Sequence, residues 1–211
     1  MESEDPRLRA TALINYDDPA VSAAAVGLAA DNAEPVAYAR AAFEFVRDDI
    51  PHTTTTGRQV VTVRASDVLA ERTGICHAKA NLLAALLRAR GIPAGFGFQH
   101  LTLGDDDSAG YCLHAFVLAD LAGRTLPLDP HPQVEFSRVN PQLAYPCRPE
   151  YDEYVLTGRW YDPDQGTITV LHNSPTLNDA LTHLPDRPTT EPDDPTWPGS
   201  RTPGPTDPHP E

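Results

Sequence analysis

The chain has 211 residues, 40% of them hydrophobic, which is enough for one ordinary globular core. Thirty acidic against sixteen basic side chains give a formal net charge of -14, a balance that repels nucleic-acid phosphates and anionic lipid surfaces and so excludes both as expected partners. Three cysteines are too few and of the wrong parity for a disulfide framework, the acidic start Met1-Glu2-Ser3-Glu4-Asp5-Pro6 is unlike a secretory signal, and no apolar run approaches a membrane span. A cytoplasmic protein is the expectation.

Residues 1–18 read as an N-terminal extension and 19–184 as one folded domain. The stretch Pro19 to Ala30 is Ala-rich and helical by propensity. A second helix follows Asp31-Asn32, with Pro35 suited to its first turn and Val36, Ala39, Phe43, Val46 and Ile50 on one apolar face; Pro51 stops it. Thr53 to Gly57 reads as a loop, Gln59 to Val63 as a short strand, and Ser66 as the cap of a brief helix over Asp67 to Glu71. Thr73-Gly74 then introduces a long apolar helix through Ala78 to Arg90, with Leu82, Leu83, Leu86 and Leu87 on one side and Gly91-Ile92-Pro93 as its stop. This is the expected central helix, and Cys76 falls in its first turn.

Strand-like runs follow at Ala94 to Leu103, Tyr111 to Leu121 and Arg124 to Asp129, with weaker ones at Tyr154 to Leu156 and Thr167 to His172. Helices first and strands afterwards indicate an α+β domain, with N-terminal helices and a central cysteine-bearing helix packed on an antiparallel sheet. From Pro185 to Glu211 the chain is Pro, Thr, Asp and Gly, holding nine of the 22 prolines, and reads as a disordered tail that could dock a protein partner through Trp197.

The chemistry gathers around Cys76. A helix N-terminus carries roughly half a positive charge and stabilises a thiolate. In the run Tyr111 to Leu118 successive side chains alternate, so His114 shares a face with Cys112, Phe116 and Leu118. If the next two strands pair about the point between Leu121 and Ala122, His114 and Asp129 stand directly opposite; a two-residue shift makes the pair diagonal but keeps it on one face. A carboxylate on one ring nitrogen orients the imidazole and leaves the other for a thiol. Cysteine, base and orienting acid together predict acyl chemistry.

These residues carry a resemblance. Gly74-Ile75-Cys76-His77-Ala78-Lys79-Ala80, continuing through Leu82 to Arg88 and Arg90-Gly91-Ile92-Pro93-Ala94, looks like the nucleophile helix of the transglutaminase-like superfamily. His114-Ala115-Phe116-Val117 and Leu128-Asp129-Pro130 resemble its histidine and aspartate motifs, and Phe45 to Ile50 the helix end before them, so the similarity spans roughly residues 35 to 133. The chain departs from the common pattern at His77, where many members carry a small residue. The resemblance implies a papain-like core, a Cys76-His114-Asp129 triad, no cofactor, and acyl transfer through a thioester from a peptide or small-molecule substrate to water or an amine.

The Cys76 backbone N–H would be one oxyanion donor, with Gln99 as the candidate for a second. His77, His100 and His131 read as surface or supporting residues. Two other readings use the same residues: a catalytically silent binding module, and a zinc site built from Cys76, Cys112 and His114.

Overall fold

The computed structural model describes residues 5–199. Asp18 accepts from the Ala20 and Val21 N–H groups and starts helix α1 (Pro19–Ala30); α2 (Pro35–Asp48) begins on its proline. In α3 (Ala65–Glu71), Asp67 accepts from the Arg64 N–H and closes the start of the helix, so Ser66 does not cap it; Ser66 instead exchanges hydrogen bonds with Asn15. The central helix α4 (Cys76–Arg88) is buried from His77 to Arg88. The expected strand over Gln59 to Val63 is irregular chain, without ladder partners.

Four antiparallel strands follow the helices: β1 (Ala94–Thr102), β2 (Tyr111–Leu121), β3 (Arg124–Leu128) and β4 (Tyr154–Val155), in spatial order β3-β2-β1-β4. Phe96 and Phe98 of β1 and Leu113, Ala115, Val117 and Ala119 of β2 join the leucines of α4 in the main core. The alternate row, with Phe116 and Leu118, joins Val155 in a smaller cluster beneath Leu143, Cys147 and Trp197. Parity therefore places His114 on the second face, not on the face that the body of α4 covers.

The β2–β3 hairpin closes through Ala122 and Gly123, both with positive φ (51° and 76°), and pairs Leu121 with Arg124 and Val117 with Leu128. That is the two-residue turn whose twist suits a hairpin, and it moves the register two residues from the simplest sequence count. Alanine is a poor occupant of a left-handed position. Ala122→Asn is expected to stabilise the fold by roughly 0.5–1 kcal/mol, read as a higher urea midpoint at unchanged slope; a lower midpoint would contradict the turn assignment.

The segment Thr167 to His172 is helical, part of α5 (Gln165–Asn173), and α6 (Leu177–His183) follows. Asp164 accepts from the Thr167 N–H and hydroxyl and starts α5, while Ile168 and Leu171 turn inward, so capping and burial override the strand preference of Thr-Ile-Thr-Val. The tail also departs from expectation over residues 185–199. Arg159 and Asp194 pair through their backbones, the Trp197 carbonyl accepts from the Gly158 N–H, Trp160 donates to the Thr190 carbonyl, and the Trp197 ring lies 6.1 Å from Phe116. Residues 200–211 of that expected tail lie outside the described residues. Among the described residues no helix is long and apolar enough to cross a membrane.

Candidate active site

The start of α4 is held against the segment that follows α2. Thr73 donates its hydroxyl to the Pro51 carbonyl, the Thr53 N–H donates to the Gly74 carbonyl, and His52 and Gly74 form a parallel bridge. Gly74 is needed for this approach: a Cβ there would sit 3.1 Å from that of Ala78 and 3.2 Å from the Thr62 hydroxyl. Ile75 occupies the N-cap and offers no side-chain acceptor. The N–H groups of the first turn therefore keep their partial positive charge beside Cys76.

On the sheet side β3 ends at Leu128, opposite Val117, so no strand flanks His114 there. Gln99 of β1 is its partner on the other side. The chain beyond Leu128 turns through Asp129, and the carboxylate Oδ2 lies 2.8 Å from His114 Nε2 and accepts from the Ala144 N–H at 2.9 Å. The diagonal pairing set by the hairpin register thus keeps histidine and aspartate in contact. His114 is 6% exposed and Asp129 3% exposed, and the Tyr145 ring meets the imidazole edge to face at 5.0 Å.

One cavity of about 30 Å³ collects these groups: Cys76 and Lys79 from α4, His114 from β2, the turn Asp129-Pro130-His131, and His52 and Tyr145 from flanking loops. Burial works against a Cys76 thiolate, but the charges of His77 and His114 and hydrogen bonds from His114 and His52 outweigh it and hold the thiol well below its ordinary range. Burial likewise opposes a charged His114, yet Asp129 and the Cys76 thiolate push it up to about 10. The two shifts are coupled, each group favouring the charged form of the other; His114 Nε2 meets Asp129 Oδ2 at 2.8 Å, and the ring nitrogen in contact with Cys76 Sγ is Nδ1 of His77, at 3.3 Å. The other thiols differ: burial pushes Cys112 up to about 11 and also raises Cys147.

Several residues take positions that sequence reasoning did not give them. His77 takes the supporting rather than the surface position of the two expected, 3% exposed with its Nδ1 3.3 Å from Cys76 Sγ, although adjacency in sequence predicts another helix face for it. His131 lines the cavity and meets the Tyr145 hydroxyl at 3.3 Å. His100 lies elsewhere, stacked on Tyr111 with Nδ1 2.9 Å from the Asp186 carbonyl. Gln99 spends its amide N–H groups on the Tyr145 carbonyl (2.8 Å) and Cys147 Sγ (3.3 Å) and lines a neighbouring cleft of about 650 Å³. His52 and Lys79 were not anticipated. Lys79 is three residues after Cys76 and so on the same helix face, a spacing that identifies it; His52 had no local signal. Among the described residues no group of three or more His, Cys, Asp and Glu side chains has metal-holding geometry, which leaves the zinc reading without support.

A model of the transglutaminase-like superfamily matches residues 22–130, about half of the chain. The chain belongs to the transglutaminase-like superfamily. The matched segment runs from α1 to the turn after β3 and contains Cys76, His114 and Asp129. Similar solved structures include a candidate cysteine protease from Cytophaga hutchinsonii, 19% identical with a TM-score of 0.45 over 59% of this chain and 40% of that one. The periplasmic domain of TgpA from Pseudomonas aeruginosa, bound to ethylmercury, is 24% identical with a TM-score of 0.45 over 59% of this chain and 46% of that one. This transglutaminase-like chain therefore spans under half the length of both structures. No curated protein matches it.

Proposed function

We propose that this protein is a cysteine acyltransferase or amidase that works through a thioester on Cys76. The observation that carries the reading is the buried His114–Asp129 contact of 2.8 Å in the same cavity as Cys76, at an uncapped helix start that, with the neighbouring histidines, favours its thiolate. The Cys76 thiolate attacks an amide, ester or thioester carbonyl, forming the S–C bond, and the carbonyl oxygen takes the negative charge. First-turn N–H groups of α4 stabilise that oxyanion. The imidazolium of His114 then gives its proton to the leaving amine, alcohol or thiol as the bond from carbon to that group breaks.

In the second half His114 takes a proton from water or an incoming amine, which attacks the thioester and returns the Cys76 thiolate; the first gives hydrolysis and the second a new amide. Asp129 orients the ring and compensates its charge throughout. The cleft beside Tyr145, lined by Gln99, Gln133 and Gln142 among others, offers the room for an acyl group that the small reactive cavity lacks. The test is p-nitrophenyl acetate mixed with the protein: a burst of nitrophenol and a 42-dalton adduct on Cys76 that hydroxylamine removes are expected. Acetylation elsewhere, unchanged in Cys76→Ala, would sink the proposal.

A further inference from the structure

Lys79 is charged, buried and unmatched. It is 3% exposed and lines the reactive cavity one turn from Cys76, yet among the described residues its ammonium makes no hydrogen bond and no ion-pair contact. Of the three groups whose negative fields reach it, Asp129 is engaged with His114 and the Ala144 N–H and Asp48 with Arg47 at 2.7 and 2.9 Å, which leaves the Cys76 sulfur. The side chain is buried along its length, but Nζ is not among the polar atoms sealed without a partner, so the ammonium reaches the cavity, where an entering anion can pair with it.

We propose that Lys79 is the anion-recognition group of this site, receiving a carboxylate that the acyl substrate carries a few atoms from its reacting carbonyl. The inference rests on the thioester reading and narrows it to acidic acyl donors. Lys79 stands one helical turn from the sulfur, so a carboxylate on the ammonium leaves a carbonyl two or three bonds away within reach of the thiolate. His114 cannot serve instead, because Asp129 already balances its charge. The neighbours that set the Lys79 charge are Cys76, Asp129 and Asp48, which favour it, and His131, which senses it from across the cavity, with His114 and His52 on the remaining walls. Burial outweighs the attractive groups and lowers Lys79 to about 8, so it is mostly charged at neutral pH and discharges just above it.

Iodoacetate and iodoacetamide differ only in carrying a carboxylate or a carboxamide, and both alkylate by the same displacement, in which the thiolate forms the S–C bond and iodide leaves. The ratio of their rates at Cys76, followed by peptide mass mapping on the full chain, isolates the charge contribution and cancels any change in thiolate population. At pH 7 the iodoacetate-to-iodoacetamide ratio is expected to fall about tenfold in Lys79→Gln, to stay within about threefold of wild type in Lys79→Arg, and in wild type to decline as pH rises through about 8. Lys79→Met repeats the measurement if the glutamine variant does not fold. An unchanged ratio in the neutral variant, with Cys76 still labelled readily by both reagents, overturns the role of Lys79 alone. Failure of both reagents to label native Cys76 overturns the thioester reading, and this inference with it.

Discussion

Asp129→Asn is expected to slow acylation of Cys76 by about 10²–10⁴-fold while leaving the fold intact. Oδ2 of Asp129 accepts from both His114 Nε2 and the Ala144 N–H, and an asparagine carbonyl oxygen can take both of those hydrogen bonds. What it cannot supply is the charge. His114 is buried, and burial alone drives an imidazole toward its neutral form; Asp129 is the first of the groups that reverse this and push it up to about 10. With that charge removed the ring becomes neutral at physiological pH, the thiolate loses its cationic partner, and Cys76 reverts towards an ordinary buried thiol. Single-turnover acetylation by p-nitrophenyl acetate measures the loss, and a variant within threefold of wild type would show that Asp129 only shapes the loop around Ala144.

The largest expected effect on stability is at the other end of the same helix. Arg88 is 2% exposed, and its guanidinium donates to the Ala94 carbonyl at 3.0 and 2.8 Å, to the Arg9 carbonyl at 3.0 Å and to the Tyr161 carbonyl. It ties the end of α4 to the start of β1, to the N-terminal segment and to the chain beyond β4. Arg88→Met leaves those carbonyls without their charged donor and is expected to cost about 3–5 kcal/mol, or roughly 6–20 °C of melting temperature for a chain of this size. Arg88 lies twelve helical steps from Cys76, some 18 Å at the rise of an α-helix. Cys76 in the folded fraction should therefore keep its reactivity, and a loss of reactivity without a loss of stability would contradict this division of roles.

The N-terminal segment itself shows how far a polar, Pro-containing stretch can be from an appendage. Ile14 is fully buried, the Leu13 carbonyl accepts from the Ala65 N–H, and Arg7 pairs with Asp120 at the end of β2. Read as an extension, residues 5–18 are instead part of the packed unit.

What could be read from the sequence followed from periodicity. Alanine-rich composition located α1, the 3.6-residue repeat with its proline and glycine stops located α2 and α4, and the β-favouring run Tyr111 to Leu121 located β2. The common face of His114 and Asp129 was legible because strand parity survives a register shift of two; the shift itself came from Ala122 adopting a left-handed conformation that its residue type does not advertise. Which face of the sheet α4 would cover was not legible, since both rows of β2 are apolar. α5 was hidden because β-branched residues dominate it and its start depends on Asp164, whose carboxylate also holds Thr189, 25 residues away. Residues 185–199 are held by backbone pairing of Asp194 with Arg159, by Trp160 and Asp164 at Thr190 and Thr189, and by Trp197 against Phe116, contacts that composition cannot encode. His52 enters the site only through the bridge to Gly74, which is likewise invisible along the chain.

Whether Cys76 is a thiolate beside a charged His114 is tested most directly by the pH dependence of its alkylation by iodoacetamide. A thiol whose pKa is depressed is already ionised at neutral pH, so the native rate at Cys76 should stay nearly flat from pH 6 to 8 and change again only as His114 loses its proton near pH 10. In urea the same cysteine, with an ordinary value of about 8.5, should speed up by roughly tenfold per unit over most of that range. A native profile that climbs in parallel with the unfolded one would mean that no ion pair exists, and the nucleophile assigned to Cys76 would have to be given up.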